Sequence, residues 1–295
     1  MDTYIGEIAA LLTAIVWALA VIFFRKSGEA VHPIGLNLFK NSLAAILFIP
    51  TAWLFGETLF LSVPMEDYLL LLLSGVLGIG ISDTLFFKSL NALGASLSAI
   101  VDCLYSPFII GLSMLWLGET LDIWQVVGVI LILSAVLIIM GERNKNPVGR
   151  RTILLGILWG VLAMASMAVS IVMIKPLLTR SPLIWATEIR LIGGMVVLMG
   201  FLLVHPSRRI ILKSIRSSQR WGYTVTGSIL GAYLSMVLWL ASMKLTQVSI
   251  AAALSQTSNI FIFIFAALLL KERVTPLKLT AIVAGVTGSL LVTFG

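Results

Sequence analysis

Charged residues are scarce in this sequence of 295 residues. Asp, Glu, Lys and Arg together make up 11% of it, whereas they make up about 25% of a soluble domain. Hydrophobic residues make up 59%, and the mean hydropathy is +1.08. Because so few charges cannot cover a water-exposed surface of this size, we expect lipid to be the solvent for most of it. An ordinary soluble domain is therefore excluded.

Residues for metal, nucleotide and nucleophilic chemistry are also scarce. The single cysteine, Cys103, excludes an internal disulfide. His32 and His205 are far apart in sequence, and neither has a partner at the spacing of a helical zinc motif. No GxxxxGK[ST] phosphate loop is present, so ATP does not drive this chain directly. We expect no metal, no cofactor and no Ser-His-Asp catalysis, and we predict that the protein is not an enzyme.

The net charge of +7 is distributed along the chain in short gaps between apolar runs. A nucleic-acid-binding protein needs its cations clustered on one folded face, so we expect a lipid bilayer and no nucleic acid as partner. Most Lys and Arg fall in the odd-numbered connections between runs, which places these connections in the cytoplasm and both termini outside. The N-terminus lacks the basic region of a signal peptide, so we expect the first run to be retained.

The apolar runs have the length of membrane spans, since about 20 apolar residues cross a bilayer as a helix. Ten runs are present: Ile5–Phe24, Pro33–Phe55, Asp67–Lys88, Ala95–Leu117, Ile123–Met140, Ile153–Ile174, Pro182–Val204, Tyr223–Met243, Ser249–Leu270 and Pro276–Phe294. The pattern predicts an all-α, polytopic membrane protein with ten transmembrane helices.

An internal duplication relates the two halves of the chain. The stretch Gly94–Leu121 matches Gln247–Val274 without a gap. At a shift of 153 positions, Ser96 falls on Ser249, Ala99 on Ala252, Phe108 on Phe261, Leu117 on Leu270 and Glu119 on Glu272. The chain therefore divides into two five-helix repeats, residues 1–145 and 146–295. An odd number of crossings puts the repeats in opposite orientations, and such inverted repeats are typical of secondary transporters.

Ionisable residues at membrane depth are candidate functional residues because their burial is costly. Lys40, Asp83 and Asp102 are predicted to lie in one leaflet, which makes Lys40 the natural counter-ion for one of the two acids. Two nearby carboxylates suit proton coupling, and a structural ion pair is the alternative. Arg190 suits a substrate carboxylate, although a structural role at a helix end is favoured. The predicted charge-coupling residues are Lys40, Asp83, Asp102 and Arg190.

Polar and aromatic residues at helical spacing suggest a cavity along the seam between the repeats. Ser98, Asp102 and Tyr105 share one face of the fourth helix, and Gln256 and Asn259 share one face of the ninth. These side chains either face a wet cavity or bond a neighbouring helix; the cavity is favoured for Gln256 and Asn259. The predicted cavity residues are Trp17, Ser98, Asp102, Tyr105, Ser166, Tyr233, Trp239, Gln256 and Asn259.

Three stretches resemble the EamA family of the drug/metabolite transporter superfamily. They are WALAVIFFRK near the end of the first helix, FFKSLNALGASLSAIVDCLYSPFIIGLSMLWLGETL, and the second-half ending LLLKERV. The resemblance implies a ten-helix, exporter-like carrier with a central cavity lined by helices one, three, four, six, eight and nine. Members of this family place both termini in the cytoplasm, opposite to the orientation that the charges of this chain predict.

These observations predict a secondary active transporter in the cell membrane. We expect alternating access, export of small metabolites such as amino acids or related amphipathic compounds, and the proton as candidate coupling ion through Asp102. The substrate class is implied by the resemblance. An intramembrane enzyme acting on lipid is one alternative, although only isolated Ser, Asp and Cys103 are available at depth. A channel or a non-transporting scaffold is another.

Overall fold

A computed structural model describes residues 4–58, 61–117, 122–140, 149–216, 220–246, 251 and 254–294. Every regular element in these ranges is helical. The main helices are α1 Ile5–Ser27, α2 Pro33–Leu54, α3 Met65–Leu93, α4 Ala95–Trp116, α5 Ile123–Met140, α6 Arg150–Val172, α7 Leu183–Val204, α8 Trp221–Ser242, α9 Leu254–Leu269 and α10 Pro276–Phe294. A single turn, Lys175–Leu178, follows α6, and a surface helix, Arg208–Arg216, precedes α8.

Eight of the described helices are long and apolar enough to cross a membrane. The apolar stretches Ile123–Ile138 of α5 and Leu254–Leu269 are shorter. Large apolar side chains such as Ile46, Leu115 and Leu137 are more than half exposed on the outside of the bundle, where lipid replaces water. The structure confirms an all-helical, multi-span membrane protein, and the count of ten stays a prediction. Part of the predicted run Ser249–Leu270 lies outside the described residues.

Helices of one half pack against helices of the other half, and equivalent pairs occur with the two halves interchanged. Helix α3 packs against α6, and its counterpart α8 packs against α1. Helix α4 packs against α6, and its counterpart α9 packs against α1. The counterparts α2 and α7, α4 and α9, and α5 and α10 pack against each other. A pseudo-two-fold relation between the duplicated halves accounts for these equivalent contacts.

A π-helical segment interrupts the same helix in each half. It covers Val76–Ser82 in α3 and Ile229–Leu234 in α8, and 229 minus 76 is the repeat shift of 153. The wider π turn disturbs the regular backbone ladder and exposes carbonyls to other donors. In α3, Asn37 Nδ2 donates to the carbonyl of Ile79 at 2.7 Å and Ser166 Oγ to that of Leu77 at 2.9 Å. Neighbouring helices are thereby fixed to the π segment.

Helices α4 and α9 each contain a turn at equivalent positions. In α4 the turn at Cys103 and Leu104 is followed by Pro107, whose ring crowds the carbonyl four residues earlier. The regular helix is therefore interrupted just before Pro107. In α9 the turn lies at Thr257, whose Oγ1 donates to the carbonyl of Leu254 at 2.5 Å. Since Ile260 replaces the proline there, the turn does not depend on proline in both halves.

Both ends of the bundle are tied by bonds between the two halves. At the end that carries the even connections, Thr246 Oγ1 donates to Glu7 at 2.9 Å, Arg180 pairs with Asp67 at 2.7 Å, and the N–H of Trp185 donates to Glu57 at 3.0 Å. At the odd end, Arg220 pairs with Glu29 at 2.5 Å and the hydroxyls of Ser27 and Thr224 lie 2.6 Å apart. The structure is therefore bridged on both sides.

Glu272 adds a further bridge at the odd end. Its Oε1 and Oε2 accept the N–H groups of Ala95 at 2.8 Å and Ser96 at 3.0 Å. Gly94, which precedes α4, has a positive φ of 82°, a conformation that glycine tolerates best. The carboxylate thus caps the first turn of α4, where negative charge is favourable. Its repeat counterpart, Glu119, lies outside the described residues.

Replacing Glu272 by alanine should lower the free energy of unfolding by about 1–2 kcal/mol, because two N–H donors lose their cap. Thermal unfolding of the purified protein, followed by tryptophan fluorescence, measures the change. Arg273→Ala is the matched control, since this neighbouring side chain is exposed. An equal loss of stability in both variants would contradict the capping role.

Candidate substrate site

Lys40 and Asp83 form an ion pair inside the bundle. Lys40 Nζ lies 2.5 Å from Asp83 Oδ2, and the side chains are 6% and 13% exposed. Lys40 Nζ also lies 5.5 Å from the centre of the Phe87 ring, a favourable cation–π distance. The sequence alone did not decide whether Asp83 or Asp102 pairs with Lys40, and in the structure the partner is Asp83. The pair joins α2 to α3.

Arg190 reaches α3 from a different helix, α7. Its Nε donates to Ser74 Oγ at 3.0 Å, and Ser74 Oγ donates to the carbonyl of Ser170 at 2.7 Å. A Cβ built on Gly78 would lie 3.2 Å from Arg190 Nη2, so the glycine of the π segment leaves room for the guanidinium. The charge of Arg190 also interacts with Asp83 and Tyr105. Lys40, Asp83, Arg190 and Tyr105 are therefore grouped as one polar cluster on the basis of this electrostatic interaction, since no hydrogen bond or ion pair joins Arg190 to the other three among the described residues.

Asp102 and Ser98 lie on α4, where the predicted polar face begins. Ser98 is 1% exposed, and its hydroxyl has no hydrogen-bond partner among the described residues. Asp102 is half-buried, and no hydrogen bond or ion pair to its carboxylate joins the described part of the chain. Ser98 therefore faces the interior of the bundle and not lipid, and the cavity role of Ser98 and Asp102 stays a prediction.

Gln256 and Asn259 bond to α4. Gln256 Nε2 donates to Ser106 Oγ at 2.8 Å, and Asn259 Nδ2 lies 3.6 Å from Cys103 Sγ. Asn259 is buried, and Gln256 is half-buried. The structure thus shows the helix-to-helix bond that was the alternative to a free cavity position. These bonds hold the matched helices of the two repeats together at their turns.

The remaining predicted cavity residues are in contact with neighbouring helices. Ser166 bonds α3, as described above. Tyr233 lies in the π segment of α8, and its hydroxyl is 2.7 Å from Thr51 Oγ1 on α2. Trp17 packs against Phe86, with ring centres 6.4 Å apart. Trp239 belongs to the apolar cluster between α2, α7 and α8. Within the described ranges, no hydrogen bond, ion pair or ring contact joins any of these four side chains to the polar cluster.

The two histidines meet at the odd end although they are distant in sequence. Their ring centres are 6.2 Å apart. Burial lowers the pKa of His32, and the charges of His205 and Lys88 lower it further. Its Nδ1 accepts the N–H of Ile34 at 3.3 Å, a bond that also requires an unprotonated nitrogen. Within the described ranges no cluster of three or more His, Cys, Asp or Glu residues forms a metal site.

Comparison with known proteins decides the family. The sequence profile of the EamA-like transporter family matches residues 4–141 and, a second time, residues 154–294. The chain belongs to the EamA-like transporter family. This family is part of the drug/metabolite transporter superfamily, so the protein is a membrane transporter. The two matches agree with the duplication, and the boundary at residues 145 and 146 stays a prediction.

Other proteins resemble this EamA-like transporter over nearly its whole length. An uncharacterized transporter of Archaeoglobus fulgidus is 25% identical over 270 residues, which cover 90% of each chain. An uncharacterized transporter of Methanothermobacter thermautotrophicus is 24% identical over 303 residues, covering 98% of this chain and 84% of the relative. A solved crystal structure with 18% identity has a TM-score of 0.67 and covers 98% of this chain and 95% of its own. That structure supports the fold alone.

Sequence reasoning missed two polar residues of this EamA-like transporter, Ser74 and Ser82, whose hydroxyls donate to backbone carbonyls of α6. Asn37 and Glu188 are polar residues at membrane depth that the predicted site does not include. Asn37 donates to the carbonyl of Ile79 on α3, and Glu188 is 3% exposed with no partner for its Oε1 in the described part of the chain. The sequence did contain one signal for this face of α3, a small residue every four positions, at Ser74, Gly78 and Ser82. It does not distinguish close packing from a site.

A surface groove of about 310 Å³ lies away from the polar cluster. Phe23, Arg220, Gly222, Tyr223 and Thr226 line it, where α1 ends and α8 begins. No predicted cavity residue is among them. The groove therefore does not contribute to the candidate substrate site.

Proposed function

We propose that this EamA-like transporter is a secondary carrier that works by alternating access. The carrying observation is the inward-facing polar cluster of Lys40, Asp83, Arg190 and Tyr105, which joins helices of both repeats. Charged side chains at this depth are costly, and for that reason they commonly mark a substrate or ion pathway. The proposed substrate site lies at this cluster, between the inverted repeats of residues 1–145 and 146–295.

The bonds at both ends support the proposed mechanism. In alternating access one repeat rocks against the other and opens one side at a time. The Glu7, Glu57 and Asp67 bonds would break to open the even end, and the Glu29 and Glu272 bonds would break to open the odd end. Their joint presence fits an occluded conformation of the carrier. Export of small metabolites such as amino acids across the cell membrane is the activity we propose.

Transport can be tested in two steps, of which the first identifies the substrate and the second measures its transport. Untargeted comparison of metabolites released by cells with and without the protein identifies candidates, and each is then assayed in vesicles that contain the purified protein. A carrier gives saturable uptake and accelerated exchange when the vesicles are preloaded with substrate. Flux that rises linearly with concentration indicates a channel, chemical change of vesicle lipid indicates an enzyme, and no flux indicates a scaffold.

Proton coupling through Asp102 is part of the proposal. Asp102→Asn should abolish accumulation driven by a pH gradient while exchange of preloaded substrate continues, because the amide cannot carry a proton. Vesicle uptake with and without the gradient measures this. Glu66→Gln is the matched control, since Glu66 is an exposed carboxylate at the start of α3. Unchanged gradient dependence in the Asp102 variant would remove Asp102 from the mechanism.

A further inference from the structure

We propose that Arg190 binds the carboxylate of the transported substrate, so that the carrier selects small monocarboxylates, such as amino acids, over their neutral or cationic analogues. This inference rests on the proposed carrier function. It assigns to Arg190 a role in binding and not the structural role at a helix end that the sequence favoured.

The position of Arg190 excludes the structural role expected for a lone membrane arginine. It lies seven residues after Leu183, where α7 begins, or about 10 Å along the helix at about 1.5 Å per residue. Its side chain runs inward to Ser74 and Gly78 of α3, so it does not extend toward the membrane surface. Arg190 as a whole residue is partly buried, and its guanidinium lies inside the bundle against α3.

The guanidinium lacks a carboxylate partner within the described ranges. Asp83 is the acid that interacts with its charge, but Asp83 already pairs with Lys40 at 2.5 Å. Glu188 is two positions away on the same helix and shares the face of Ile184 and Leu191, which pack toward α2 and α8. The cluster of Lys40, Asp83 and Arg190 therefore carries one uncompensated positive charge.

The hydrogen bonds of Arg190 leave one edge of the guanidinium available. Nε is occupied by Ser74 Oγ at 3.0 Å, which fixes the plane of the group. No hydrogen bond from Nη1 or Nη2 joins the described residues. These two nitrogens present the paired donors that bind a carboxylate through both oxygens. A substrate carboxylate would offset this positive charge, with the ammonium of an amino acid lying away from the cluster, whereas an inorganic dianion would reverse the charge of the cluster.

The test uses the purified full-length protein and a panel of amino acids, each paired with its carboxamide and with the amine that lacks the carboxylate. Thermal unfolding at increasing ligand concentration gives apparent affinities, and vesicle exchange gives transport. We expect at least one amino acid to stabilise and exchange, and we expect its carboxamide and amine to bind more than about tenfold more weakly, the range of a lost charge-assisted hydrogen bond.

Variants of Arg190 separate binding from folding. Arg190→Gln should weaken binding of the amino acid more than about tenfold. Arg190→Lys should weaken it by less, because lysine keeps the positive charge but is a point charge without the paired donors of arginine. Without ligand, Arg190→Gln should lose no more stability than Ser74→Ala, since Asp83, the acid that interacts with the charge of Arg190, keeps Lys40 as its ion-pair partner. Arg209→Gln removes an exposed cation from the surface helix and should leave binding unchanged.

Three outcomes would overturn the role of Arg190. They are equal affinity for carboxamides or amines, unchanged carboxylate affinity in Arg190→Gln, or a loss of unliganded stability in Arg190→Gln well beyond that in Ser74→Ala. In the first two, saturable exchange by the wild-type protein still supports the carrier function. If the wild-type protein exchanges no substrate of any kind, the carrier function fails, and the role of Arg190 fails with it.

Discussion

Replacing Asp83 by asparagine will lower the free energy of unfolding by about 3–5 kcal/mol, the range measured when one partner of a buried ion pair is removed. Lys40 is 6% exposed on its side chain, so its ammonium has little contact with solvent. After the substitution, the ammonium of Lys40 and the guanidinium of Arg190 share the interior with no acid in their cluster. The loss should appear as a lower thermal unfolding midpoint of the protein in detergent.

Replacing the other partner, Lys40, should lower the free energy of unfolding by less than Asp83→Asn does. In Lys40→Met, Asp83 keeps an electrostatic interaction with Arg190, so part of its charge remains compensated. The double variant Lys40→Met/Asp83→Asn should recover much of the stability lost in Asp83→Asn, because no uncompensated lysine remains. A double variant whose loss equals the sum of the two single losses would show that the residues do not act as a pair.

Gly193→Ala should destabilise the protein by about 1–3 kcal/mol, the usual range for overpacking, and it should also reduce transport. Glycine at this position lets the backbones of α7 and α3 touch, because a Cβ there would overlap the carbonyl oxygen of Leu72. Gly75 of α3 makes the reciprocal contact, since its Cβ would overlap the carbonyl of Arg190. An added methyl group must push α7 away from α3 and so displace Arg190 from Ser74.

Gly200→Ala on the same helix is the matched control. A Cβ at Gly200 meets nothing within 4 Å, and alanine has the higher helix propensity by about 1 kcal/mol. Gly200→Ala should therefore leave the unfolding midpoint unchanged or raise it, while Gly193→Ala lowers it. If both variants unfold at the wild-type temperature, the close contact of α3 and α7 is not a source of stability.

Several features of the fold could be predicted from the sequence alone. The boundaries of most apolar runs agree with helices within a few residues, as for Pro182–Val204 and α7, Leu183–Val204. The resemblance identified the family correctly, the duplication reappears in the two family matches, and its shift of 153 reappears in the paired π segments. A membrane span depends on the total hydrophobicity of about 20 residues, a property that composition already contains.

The bonding partners of the candidate site residues could not be predicted from the sequence. The sequence placed Lys40, Asp83 and Asp102 in one leaflet, but only the structure shows that Lys40 pairs with Asp83. It also shows that Gln256 and Ser166 bond adjacent helices, which the sequence could not separate from facing a cavity. Each position turns by about 100° around a helix, so small differences in helix rotation decide which side chain meets which partner.

By itself the sequence determined a duplicated, lipid-embedded helical transporter with a few costly ionisable groups at depth. It determined these properties because hydrophobic run length, repeat spacing and the stretches that resemble the family are all features of the order of residues. Only the tertiary structure decided that α3 carries a π segment, that Ser74 orients Arg190, and that Asp83 is already paired. Those choices depend on the rotation and close approach of helices from different halves, because hydrogen bonds and ion pairs form only within about 3–4 Å.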